Sequence, residues 1–85
     1  MYGLDLANRY LKTGGAKTSL VIGSETLSRI TKWEDRSTAV LFGDGAGAVV
    51  LQTADEPGIM STHIHADGQY EDLLQVEQGV SVGLT

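Results

Sequence analysis

Several side chains in this 85-residue chain stand at spacings that invite a chemical reading. His63 and His65 are two apart, so a strand would turn both to one face, and Asp67 would follow there if the strand continued. Imidazole and carboxylate are metal ligands. A complete ligand set is not visible, however, and the plainer reading is two histidines on a solvated strand face. Glu25, Glu34 and Asp35 are the candidates for an acid–base pair, but no spacing rule selects them. Ser24, Ser28 and Ser61 lack the context of a nucleophile elbow. Trp33 reads as partly buried packing ahead of a binding anchor. Arg36 precedes a short apolar stretch and offers a planar fork to a phosphate. The duller alternative for it is an ion pair with Glu34 or Asp35.

The run from Ala39 to Leu51 places Gly43, Gly45 and Gly47 alternately around one carboxylate, Asp44, with apolar residues on both sides. Such glycines give the backbone access to φ > 0 and to close approach. Asp44 is suited to accept hydrogen bonds from nearby N–H groups. No Lys-Ser or Lys-Thr follows, so the run is not a phosphate loop. The third glycine comes too early for the dinucleotide fingerprint. By composition the run reads as a tight turn leading into a buried strand.

The elements that must position these residues follow from periodicity. Residues 3–12 read as a helix with Leu4, Ala7 and Leu11 on one side and Tyr10 beside them. Asp5 near its start and Arg9 and Lys12 near its end suit the helix dipole, and Gly14 and Gly15 stop it. Residues 18–23 form a short apolar run bounded by glycine, as a buried strand would. Leu27, Ile30 and Trp33 fall on one side of a possible helical turn. Residues 35–38 are expected to cap a short helix running through Phe42. Residues 48–52 read as a strand, 53–58 as a turn, and 59–65 as a half-buried alternating strand ended by Asp67-Gly68. The pattern alone pairs the last two strands as a hairpin. Leu73, Leu74 and Val76 call for burial without a clear period.

Composition narrows the function classes. Six basic and eleven acidic residues give a net charge of −5, and no basic residue lies beyond Arg36. That argues against nucleic acid and against an anionic membrane surface, since both need a basic patch. There is no cysteine, which excludes disulfides, a thiolate metal site and a Cys nucleophile within these residues. No apolar run has membrane length and no signal-peptide pattern is present, so a cytoplasmic setting is expected. A chain this short buries only about 60–65% of its unfolded surface, so its stability is expected to be marginal. Helix-like sequence directly after Met1 suggests a start inside a larger fold.

Read in order, Val21–Arg29, Asp35–Thr38, Leu41–Leu51, Glu56–Ile59 and Ser61–Gly68 together resemble β-ketoacyl-acyl-carrier-protein synthase III, the condensing enzyme that starts bacterial-type fatty acid synthesis. The resemblance covers about Tyr2 to Leu74. No single block would suffice for it, whereas their order and spacing make it specific. It implies an α/β, partial thiolase-like fold. Residues 1–85 would be a single fragment of a five-layer αβαβα architecture, spanning the end of the first half and the start of the second.

In that frame residues 3–12 match the helix after the catalytic cysteine, 18–23 and 47–52 the last strands of the first half, and 59–66 the opening strand of the second. The chain would then pass between halves where the pattern alone suggests a hairpin. The family uses a Cys, a His and an Asn. By the resemblance the Cys position falls before Tyr2, and the His and Asn fall beyond Thr85. His63 and His65 do not match the catalytic histidine. No catalytic residue is therefore expected here, and the chain alone is expected to be silent.

Pocket positions are carried over as well. Arg36 matches the arginine near the adenine and phosphates of coenzyme A, with Ser37 beside it. Leu27, Phe42 and Leu74 match residues lining the acyl or pantetheine channel. Gly43, Asp44, Gly45 and Gly47 match a structural loop near the active site. The implied partners are acyl-CoA, as substrate and not as cofactor, and acyl carrier protein. A homodimer is implied for the family. For the chain alone, exposed apolar faces and strand edges imply self-association. The match is expected to fade over residues 75–85.

Overall fold

The computed structural model describes residues 1–76. The element order is α1 (Tyr2–Lys12), β1 (Thr18–Glu25), a 3-10 turn (Leu27–Arg29), α2 (Arg36–Ala39), β2 (Gly45–Gln52) and a second 3-10 turn (Gly68–Leu73). Packing divides the chain into two units. The first comprises Met1–Gly23 with Gly47–Ala66, and the second Ser24–Ala46 with the described residues from Asp67 onward.

In the first unit α1 turns Leu4, Ala7, Asn8 and Leu11 inward, the i, i+3, i+4, i+7 stripe of an amphipathic helix. Ala7 is buried, and Tyr10, beside the stripe, stays exposed. The dipole is complemented as expected: Arg9 Nε donates to Asp5 Oδ2 at 3.0 Å, one turn apart. The chain leaves the helix through Gly14 at φ 80°, where an L side chain would be strained. The Gly15 N–H then returns to the Tyr10 carbonyl at 2.9 Å.

β1 is two residues longer than expected and is half covered, not buried. Ser19 and Val21 face inward, whereas Leu20 and Ile22 remain exposed. The close approach of α1 to β1 occurs at Gly3, where a Cβ would stand 2.9 Å from Val21 Cγ1. β2 pairs with β1 in a two-stranded sheet. The Thr53 N–H reaches the Lys17 carbonyl at 3.2 Å, joining the end of β2 to the start of β1, so the strands run antiparallel.

β2 begins at Gly45, earlier than expected, so Gly45 and Gly47 are strand residues and not turn residues. Among the described glycines only Gly14 has positive φ, so the glycine run does not use the left-handed region. Nor is β2 a buried strand: of its eight residues only Leu51 is half-buried. The expected hairpin is absent. β2 pairs with β1 in the sheet, and residues 59–66 run without ladder pairing. They keep the alternation expected of a strand, with Thr62 and Ile64 half-buried and Ser61, His63 and His65 exposed. They are tied to α1 instead, through the Thr62 hydroxyl donating to the Asp5 carboxylate.

In the second unit α2 is one turn, ending at Ala39 and not at Phe42. Asp35 caps it by accepting from the Ser37 N–H at 3.1 Å and the Ser37 hydroxyl at 2.6 Å. Asp67 caps the second 3-10 turn in the same way, through the Gln69 N–H at 3.1 Å. Leu73, Leu74 and Val76, expected to be buried, are exposed. Residues 77–85 lie outside the described residues.

Candidate functional site: an apolar groove beside a capped helical turn

The second unit carries a groove of about 550 Å³. Leu27 from the first 3-10 turn, Phe42 after α2 and Leu74 after the second 3-10 turn meet on its wall, with Ile30, Leu73 and Val76 adding apolar surface. All three residues that the resemblance assigned to a channel are thus brought together. Lys32, Asp35 and Asp72 supply its charge. Sequence reasoning missed Lys32 and Asp72. For Ile30 a signal existed in its i+3 spacing from Leu27, whereas nothing local marks Asp72.

Arg36 and Ser37 do not line the groove. They open α2, between the lining residues Asp35 and Thr38. Ser37 is engaged by Asp35, which lowers the Asp35 carboxyl below its ordinary pKa, with Thr38 assisting. Among the described residues the Arg36 guanidinium has no hydrogen-bond or ion-pair partner. Among the described residues Arg9–Asp5 is the only ion pair, so the expected alternative of a bridge to Glu34 or Asp35 is not formed.

The glycine-flanked carboxylate has a defined partner. Asp44 Oδ1 accepts the Ser28 N–H at 2.7 Å, and Oδ2 accepts the Ser28 hydroxyl at 2.5 Å. These bonds hold Asp44 below its ordinary pKa, the hydroxyl contributing most. Ser28 therefore acts as a hydrogen-bond donor to the loop. At Gly43 and Gly47 a Cβ would meet nothing within 4 Å, so no contact in the described residues requires glycine there.

The remaining candidates do not assemble into a site. His63 and His65 share an exposed face, and His63 Nε2 lies 3.2 Å from the Ser61 hydroxyl. The Asp67 carboxylate is spent on Gln69. Among the described residues no group of three or more His, Cys, Asp or Glu side chains is placed to hold a metal ion. Glu25 and Glu34 are exposed and Trp33 is 61% exposed, so packing does not account for the tryptophan as expected. No described helix is long and apolar enough to cross a membrane.

Comparison with known proteins places this geometry. The family model described as 3-oxoacyl-[acyl-carrier-protein (ACP)] synthase III matches residues 1–68. The beta-ketoacyl-[acyl-carrier-protein] synthase III of Thioalkalivibrio sulfidiphilus is 60% identical over 81 residues, covering 95% of this chain and 25% of its own length. That of Alkalilimnicola ehrlichii is 57% identical over 83 residues, covering 98% and 26%. The second alignment runs on past Leu74, whereas the family model ends at residue 68. The crystal structure of 3-oxoacyl-[acyl-carrier-protein] synthase III from Aquifex aeolicus superposes with a TM-score of 0.82 at 51% identity, covering 89% of this chain and 25% of that one. The chain thus spans about a quarter of the length of these relatives, and its α/β architecture is part of their thiolase-like fold. With most of its residues matched by the family model and its fold superposing on a member, the chain belongs to the 3-oxoacyl-[acyl-carrier-protein] synthase III family.

Proposed function

We propose that this chain forms one wall of the acyl-thioester channel of a β-ketoacyl-acyl-carrier-protein synthase III subunit and supplies none of its reactive groups. The subunit transfers an acyl group from acyl-CoA to a cysteine, then condenses it with malonyl-acyl-carrier-protein and releases carbon dioxide. The observation that carries the reading is the convergence of Leu27, Phe42 and Leu74 on one groove from three separate segments. Apolar side chains there suit an acyl or pantetheine chain, which gains by leaving water. Arg36, at the start of α2 and unpaired among the described residues, provides a planar fork for a nucleotide phosphate, with Ser37 beside it. Asp44 holds the neighbouring loop through Ser28, with Gly43 before it and Gly45 and Gly47 opening β2 after it. Coenzyme A enters as substrate, so no cofactor or metal is invoked. The setting is cytoplasmic, and the subunit is a homodimer that meets acyl carrier protein at the mouth of the channel.

The test is a chimera in which these 85 residues replace the aligned quarter of the Aquifex aeolicus enzyme. Condensation of acetyl-CoA with malonyl-acyl-carrier-protein is expected. Arg36→Ala should raise the KM for acetyl-CoA about tenfold with little change in kcat, the mark of a contact made equally in ground and transition states. The 85-residue chain by itself, having no cysteine, should form no acyl-enzyme. A silent chimera, or acyl transfer by the isolated chain, contradicts the proposal.

A further inference from the structure

Asp44 stands outside the groove yet grips the backbone beside its wall. Ser28 directly follows Leu27, and Asp44 comes two residues after Phe42. Both Leu27 and Phe42 line the groove. The turn Leu27–Arg29 starts from Thr26, whose side chain makes no capping bond. A single 3-10 turn leaves its leading N–H groups without internal partners. Asp44 supplies the missing acceptor from 16 residues away. Because it takes both the N–H and the hydroxyl of Ser28, it fixes the orientation of that residue as well as its position. Ser28 in turn sets the direction in which Leu27 leaves the backbone. At Gly43, directly before Asp44, an added Cβ would meet nothing within 4 Å.

We propose that the Asp44–Ser28 bridge is a positioning device that sets the spacing of Leu27 from Phe42, and with it the acyl-chain lengths the groove admits. The inference rests on the channel reading above and deepens it. Asp44 is a positioning residue that acts through Leu27. With both acceptors removed the turn is released, Leu27 withdraws, and longer acyl chains gain room. Asparagine at this position retains an acceptor for the Ser28 N–H and offers an amide N–H to the Ser28 hydroxyl, so it should largely rescue the bridge.

The test uses the chimera described above, carrying Asp44→Ala, Asp44→Asn or Ser28→Ala, and compares kcat/KM for octanoyl-CoA with that for acetyl-CoA. This ratio does not depend on how much enzyme is folded, so mere destabilisation leaves it unchanged. Asp44→Ala should raise the ratio about tenfold, in the range expected when pocket fit decides between chain lengths. Ser28→Ala, which keeps the N–H bond, should raise it about threefold. Asp44→Asn should stay near the parent. Ser28→Ala carries the test if Asp44→Ala does not fold. Unchanged ratios, or an asparagine variant as altered as the alanine one, overturn the bridge while leaving the channel reading intact. An unmodified chimera without condensation activity overturns both.

Discussion

Asp5 and Asp44 do the same physical job, one in each unit. Each carboxylate joins segments distant in sequence: Asp5 receives the Thr62 hydroxyl and Arg9, and Asp44 receives Ser28 twice. Both are held below the ordinary carboxylate pKa, Asp5 by Thr62 first and Arg9 second, Asp44 by the Ser28 hydroxyl first and its N–H second. A lowered folded pKa means that the stabilisation is fully present above the unfolded value of about 3.9 and is lost as pH falls through the folded value. The Ser28 amide should therefore be protected from hydrogen exchange at neutral pH and lose protection below about pH 4. Exchange measured residue by residue in the chimera checks this, and an equally protected Ser28 at low pH would contradict it. Asp44 as a structural acceptor was legible in the sequence, because an aspartate among alternating glycines seeks N–H donors. Its donor was not, since Ser28 lies 16 residues away and nothing local marks it.

At the scale of elements, α1 is set by its own sequence and its packing by one glycine. Gly3→Ala improves helix propensity by up to about 1 kcal/mol. It also drives a methyl to within 2.9 Å of Val21 Cγ1. Overpacking of this kind costs about 1–3 kcal/mol, so the net effect should be destabilising. Adding Val21→Ala removes the clash, so Gly3→Ala should cost less in that background than in the parent. Gly14→Ala acts by a different route. At φ 80° an alanine is strained by about 1–2 kcal/mol even though its Cβ would meet nothing within 4 Å. Thermal midpoints of the chimera variants check both expectations: a Gly14→Ala protein as stable as its parent rejects the second, and clash-independent loss at Gly3 rejects the first. The helix, its stop and its charge order were readable from periodicity and glycine placement. The pairing of β2 was not. The alternation at residues 59–65 is real, but it records which side chains face α1, not a ladder with β2.

For the whole molecule the governing quantity is exposed apolar surface. Among the described residues Ala7 is the only buried hydrophobe, and Leu20, Ile22, Val50, Leu73 and Leu74 are each more than half exposed. Surface of this kind seeks a partner. The isolated polypeptide should therefore associate with itself, sedimenting above its monomer mass and binding a hydrophobic dye. A dye-silent monomer with dispersed amide signals would show that 85 residues suffice. Within the chimera the same faces should be covered and the dye signal should fall.

The sequence by itself determined the short-range features: the α1 stripe, the Asp35 cap, the glycine stop, the absence of a thiol nucleophile, and the ordered blocks that mark the family. These depend on residues within a turn or two of each other, so pattern and capping chemistry are enough. Tertiary structure alone decided that β2 pairs with β1 and that Ser28 is the residue Asp44 holds. Those outcomes depend on which distant segments meet. Chain closure, edge availability and the competition between alternative donors settle that, and no local spacing encodes it.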